Sequence, residues 1–136
     1  CHEMHWDARR SVVWLALDFM DGGDLHSLID ARRRFGEPPP EALFQRRALA
    51  AVGSALRYIH ALGVLHRDVK PCNVLLARDL EEIKLADFGI SKILEVTAHA
   101  HTVVGTPHYL SPEIVCGEPY GPLSDAWALG VGLYEL

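Results

Sequence analysis

The sequence predicts an α+β fold, mostly helical with a few short strands. Three observations lead there. Residues 12–19 form a mostly apolar run that reads as a strand. Residues 41–62 carry Leu43, Phe44, Ala48, Val52, Ala55, Leu56 and Ile59 at three-four spacing, the mark of one long helix with an apolar face. Two short apolar runs, Val74-Leu75-Leu76 and Ile83-Lys84-Leu85, flank a polar turn at 77–82 and read as a hairpin.

The remaining elements follow from local chemistry. Asp21-Gly22-Gly23 breaks the first strand, and Asp24 can cap a short helix over residues 25–34. Arg32, Arg33 and Arg34 suit its last turn, where cations complement the helix dipole. Glu37-Pro38-Pro39-Pro40 is a stiff connector. Gly63 is a natural stop for the long helix, and a short run, Val64-Leu65, follows it. A looser polar region extends from residue 91 to about 120. Ser124 is then expected to cap a final apolar helix that starts near Asp125 and is still helical at Leu136.

Composition narrows the function classes. The 136 residues (15.1 kDa) give room for about one domain. With 49% hydrophobic and 23% charged residues, the chain is unlike a disordered, collagenous or coiled-coil protein. A net charge of −5 argues against a dedicated nucleic-acid binder. The apolar runs are too short to span a bilayer, so no membrane segment is expected. Three widely spaced cysteines with no CxxC pair fit a reducing compartment, and an intracellular, cytoplasmic location is expected. His99 and His101 have no third ligand nearby and read as part of a solvated loop.

The chemistry-bearing residues fall in one order. His66-Arg67-Asp68-Val69-Lys70-Pro71-Cys72-Asn73 follows the long helix; Asp87-Phe88-Gly89 closes the hairpin fourteen residues after Asn73; Gly105-Thr106-Pro107-His108-Tyr109-Leu110-Ser111-Pro112-Glu113 comes next. Each run alone is weak: a His-Arg-Asp is commonly a surface turn, and a lone Lys a solvated charge. An ordered set of about a dozen fixed positions, each met by chance roughly one time in twenty, is not an accident. Asp125-x-Trp127-x-x-Gly130 completes it. The set resembles the C-terminal lobe of a eukaryotic protein kinase.

That resemblance implies a kinase-like fold: a mostly helical C-terminal lobe with the hinge strand, the N-terminal lobe largely missing. Residues 1–23 would be the last small-lobe strand and the hinge, and residues 24–136 the N-terminal half of the large lobe with catalytic loop and activation segment. It implies ATP and Mg²⁺ as cofactors and protein substrates as partners. Asp68 would take the proton of the substrate hydroxyl, Lys70 would neutralise the moving phosphoryl group, and Thr106 would bond both. Asn73 and Asp87 would supply oxygen to Mg²⁺. In the nucleotide pocket Leu17 would be the gatekeeper. The Asp18 carbonyl and Met20 amide would bond the adenine edge, Asp24 would reach the ribose, and Leu75 would form the floor. His66 and Phe88 would stack in the hydrophobic column that reports the active state, anchored by Asp125. Thr102 would be the activation-loop phosphosite, with Arg67 and Lys92 as its cations.

The Asp68-x-Lys70 pattern resembles the Ser/Thr-specific branch. Asp87-Phe88-Gly89-Ile90-Ser91-Lys92, Thr102-Val103-Val104-Gly105-Thr106-Pro107 and Tyr109-Leu110-Ser111-Pro112-Glu113 resemble NIMA-related kinases. Gly132 departs from the family, which packs an apolar side chain there, and the interval from Asn73 to Asp87 is one residue longer than usual. The chain's three lysines, Lys70, Lys84 and Lys92, all follow the hinge, and no Gly-rich phosphate loop is present. Two functions are therefore weighed: part of a Ser/Thr kinase that is inactive as an isolated stretch, or a non-catalytic kinase-like binding module.

Overall fold

A computed structural model describes residues 2–87 and 107–136. Two strands open the chain, β1 (Glu3–Asp7) and β2 (Val12–Ala16), paired antiparallel with Trp6 opposite Val13 and Met4 opposite Leu15. Asp7 closes the turn between them by accepting from the amides of Arg9 and Arg10 at 2.9 and 3.2 Å. β1 was not expected from the sequence, although Met4 and Trp6 alternate with Glu3, His5 and Asp7 in the period of a strand. The expected strand 12–19 is also shorter than its apolar run. It ends at Ala16, where the partner strand runs out, and the next residues leave the sheet.

Two helices follow. In α1 (Leu25–Phe35) the extended Asp24 caps the N-terminus by accepting from the amide of Ser27 at 2.8 Å. Leu25 and Ile29, one turn apart, are the buried pair. α2 (Ala42–Ala61) buries Phe44, Ala48, Val52, Leu56 and Ile59. Leu43, counted above with the apolar face, instead points to solvent, because the buried stripe runs through position 44 in steps of four and three. Gly63 ends the helix. Its φ of 73° lets its amide reach the His60 carbonyl (3.0 Å) while that of Val64 reaches Ile59 (2.9 Å), so two orphan carbonyls are satisfied.

After a loop, a 3₁₀ turn (Pro71–Asn73) leads into β3 (Val74–Leu76), which pairs antiparallel with β4 (Ile83–Leu85). The hairpin is the expected one, with Leu75 opposite Lys84. Arg47 of α2 holds its turn by a two-pronged contact to the Glu81 carboxylate at 3.0 and 2.6 Å. A second 3₁₀ turn (Pro107–Tyr109), α3 (Pro112–Val115) and α4 (Pro122–Tyr134) complete the described residues. α4 starts earlier than expected. Pro122 takes the first helical position, where a missing N–H costs nothing, and Gly121 is the cap. Ser124 lies in the first turn, accepting from the Gly121 amide at 3.2 Å and donating to Glu113 Oε1 at 2.5 Å. The helix closes at Tyr134 rather than running on to Leu136, with Glu135 as its cap.

Leu25, Ile29, Val52, Leu56, Val69, Val74, Leu76 and Ala128 form one core between the helices and the β3–β4 hairpin. Gly132 belongs to this interior. It is buried, and a Cβ built on it would lie 3.5 Å from Pro71 Cδ, ordinary contact, beside a small apolar cavity also lined by Val52 and Leu129. A methyl group there fills space and removes the helix penalty of glycine. Gly132→Ala is therefore expected to stabilise the protein by about 1 kcal/mol in urea denaturation. A lower midpoint would show that Gly132 serves a close approach.

Candidate active site

The site is built on a buried carboxylate. Asp125, in the first turn of α4, is fully buried and accepts four hydrogen bonds. The donors are the amides of His66 (3.0 Å) and Arg67 (2.9 Å), Nε2 of His60 on α2 (2.8 Å) and the Tyr120 hydroxyl (2.5 Å). Burial pushes the Asp125 carboxyl up; the bonds from Tyr120, His60 and the two amides outweigh it and hold it below its ordinary value. Arg67 sits in the left-handed region at φ 65°, a conformation uncommon for a residue that carries a Cβ. Its guanidinium lies over the Tyr120 ring, 5.8 Å from the centroid.

With residues 66 and 67 pinned, the next ones are aimed. Lys70 Nζ lies 2.9 Å from Asp68 Oδ2. The Asn73 side chain, buried, donates through Nδ2 to the Asp68 carbonyl (2.7 Å) and carboxylate (3.0 Å). Both Nδ2 hydrogens are thereby used on Asp68, which leaves the amide oxygen as the group Asn73 could offer a cation. His66 donates from Nε2 to the Ala86 carbonyl at 3.1 Å and accepts at Nδ1 from the Asp68 amide at 3.3 Å. A ring that accepts at Nδ1 is neutral, and burial lowers its pKa accordingly. The Ala86 amide in turn donates to the Asn73 carbonyl (2.8 Å). These bonds deliver Asp87, exposed and at φ 57°, to the end of β4 beside the loop. Asn73 and Asp87 offer oxygen only, the donor set Mg²⁺ favours when phosphates complete its shell.

The hinge residues are placed less uniformly. Leu17 is 60% exposed. The Asp18 side chain lies against Lys84 Nζ (2.5 Å) and His2; those bonds pull its pKa down to about 2. Met20 is half-buried. Asp24, assigned above to a ribose, spends both carboxylate oxygens on Ser27, on its amide and its hydroxyl (2.9 Å), while its backbone bridges to Leu75, which is half-buried. Gly22 donates to the Leu76 carbonyl (2.9 Å), and a Cβ there would fall 2.5 Å from the Ala77 oxygen, so only glycine fits. Phe88, Lys92, Thr102 and Thr106, with His99 and His101, lie outside the described residues. His60, Tyr120 and Lys84 were not singled out by motif reading. Each meets its partner across the fold or across a turn, where sequence spacing carries no signal.

Comparison with known proteins decides what this loop belongs to. The family model described as "Protein kinase domain" matches residues 3–136. The chain belongs to the protein kinase family. It is 40% identical over 126 residues to the serine/threonine-protein kinase nekl-2 of Caenorhabditis elegans, covering 90% of this chain and 35% of that protein. It is 40% identical over 129 residues to the mouse serine/threonine-protein kinase Nek1, with 91% and 10% covered. It is 42% identical over 130 residues to the rice CBL-interacting protein kinase 29, with 95% and 28% covered. The chain thus spans about a third or less of these curated relatives. Among solved structures, Rad53 1–466 in complex with AMP-PNP superimposes with a TM-score of 0.71 at 29% identity, covering 98% of this chain and 31% of that one. The kinase-like fold expected from the sequence is the fold found.

The hub sets how stability depends on pH. His66 and Asp125 both have lowered pKa values in the folded protein. For such groups the unfolded chain binds protons first as pH falls, so stability present at neutral pH is lost on acidification. Melting temperature is expected to decline as pH drops below 6.5 through His66 and further below 3.8 through Asp125, the ordinary values of the two groups. Asp125→Ala, which strands four donors at the hub, is expected to cost about 3–5 kcal/mol in chemical denaturation and to weaken the lower of the two acid phases, to which Asp18, Glu81 and Glu113 also contribute.

Proposed function

We propose that this chain carries the catalytic centre of a serine/threonine protein kinase, which moves the γ-phosphate of ATP to Ser or Thr hydroxyls of protein substrates. The supporting observation is the cluster of Asp68, Lys70 and Asn73, held by 2.7–3.0 Å contacts on a loop stapled to Asp125. Asp68 orients the attacking hydroxyl and takes its proton. Lys70, already beside that carboxylate, is placed to meet negative charge gathering on the transferred group. Asn73 holds Asp68 by its backbone and its carboxylate together, so the base cannot swing away. Asn73 and Asp87 would hold Mg²⁺, which would neutralise phosphate charge when bound. The hinge at Asp18 and Met20 would present backbone groups to adenine over Leu75.

The Asp-x-Lys order and the names of the relatives support Ser/Thr specificity, and the wording of the activation segment supports a NIMA-related kinase. We also propose Thr102 as the activating phosphosite. Arg67, whose backbone is pinned and whose guanidinium lies over Tyr120, is the cation that would meet its phosphate, with Lys92 the second.

Asp68→Asn in the full-length protein is expected to lower phosphotransfer at least about a hundredfold with little change in melting temperature. Undiminished turnover in that variant would overturn the kinase proposal. Residues 1–136 alone are expected to show no phosphotransfer, because the groups that clamp the triphosphate from above have no counterpart in this stretch. Thr102→Ala is expected to lower activity of the full-length kinase; full activity together with the absence of phosphate at Thr102 by mass spectrometry would rule that site out.

A further inference from the structure

The hinge is laced to the β3–β4 hairpin more tightly than a connector requires. Gly22 donates to the Leu76 carbonyl and Leu76 to the Gly23 carbonyl, at 2.9 and 2.8 Å, and Asp24 bridges Leu75. At the turn, the Arg78 amide donates to Asp21 Oδ1 at 2.9 Å. The far end of the segment is held by a side chain. Lys84, on β4 directly opposite Leu75, brings Nζ to 2.5 Å from Asp18 Oδ2, with Glu82 Oε1 at 3.0 Å as its second carboxylate. Residues paired across two strands share a face, so Lys84 and Leu75 project to the same side of the hairpin. The Lys84–Asp18 pair therefore spans the gap between the segment proposed to bond adenine and the residue proposed to lie beneath it.

We infer that Lys84 is a positioning residue for the nucleotide: its pair with Asp18 sets the distance between the hinge backbone and the Leu75 floor. This rests on the kinase proposal above. The partners of Lys84 are Asp18 and Glu82, so its effect falls on nucleotide affinity and not on the chemical step. The two side chains are 35% and 44% exposed, which limits the pair to a small contribution and makes it sensitive to salt.

The test uses the full-length protein. KM for ATP and kcat are measured by phosphotransfer, and ADP affinity is measured by calorimetry without Mg²⁺. Lys84→Met is expected to raise both KM and the ADP Kd about three- to fivefold, with kcat within about twofold of wild type. Lys84→Arg, which keeps the charge, is expected to restore most of the affinity. In 0.5 M salt (about 4 Å screening length), the difference between wild type and Lys84→Met is expected to shrink. Asp18→Asn gives an independent arm and is expected to weaken ADP binding similarly. An unchanged KM and Kd in both variants, or a loss of kcat at unchanged KM, overturns the inference while leaving the kinase proposal intact. A wild-type protein that neither binds ADP nor turns over ATP overturns the kinase proposal, and the inference with it.

Discussion

Everything around the candidate active site depends on one carboxylate having no access to water. Asp125 is buried, and it is tolerable there because four donors converge on it. Two of those donors are backbone amides of the loop that carries Asp68. The cost of burying the charge is thus offset by the bonds that shape the loop, and neither survives without the other. The left-handed Arg67 lies where the chain turns: its own amide donates to Asp125, while the next amide, that of Asp68, turns back to His66 Nδ1.

From this anchor the order propagates outward through short, directional bonds. His66 passes it to Ala86, and through the strand end to Asp87; Asn73 passes it back to Asp68. The neutral ring of His66 is part of this path, because its Nδ1 must accept while its Nε2 donates. At the other end of the hairpin, backbone bonds from Gly22 and Leu76 join residues 22 and 23 to β3. The β3–β4 hairpin is only three residues long on each side, yet it connects the loop of Asp68 and Asn73 at one end with residues 22–24 at the other.

What could be read from the sequence was what is decided locally. Asp24 as a cap, the limits of α1, the stop at Gly63 and the hairpin 74–85 depend on neighbours a few residues away, and they were legible. The group of Asp68, Lys70 and Asn73 was legible because one tight turn sets its spacing. The failures share a different cause. Leu43 was assigned to the buried face of α2, but which stripe of a helix is covered depends on what docks against it. The first strand is marked only by the alternation of Met4 and Trp6 with polar neighbours, a weak signal over five residues whose apolar side chains stay exposed. Ser124 was taken as a cap, although Pro122 and Gly121 start the helix earlier and Ser124 serves Glu113 instead. His60 and Lys84 could not be recognised at all, since each is defined by a partner 65 or 66 positions away.

The separation between donors and acceptor in the hub also has a temporal side. The His66 and Arg67 amides precede Asp125 by 59 and 58 residues. During synthesis at about 5–20 residues per second, the loop leaves the ribosome several seconds before the side chain that shapes it. In that interval α1, α2 and the short hairpin have every local contact they need, while the loop has no acceptor for its amides. Contacts of such long range close late. The loop that carries Asp68 therefore cannot take its final form until Asp125 has been made.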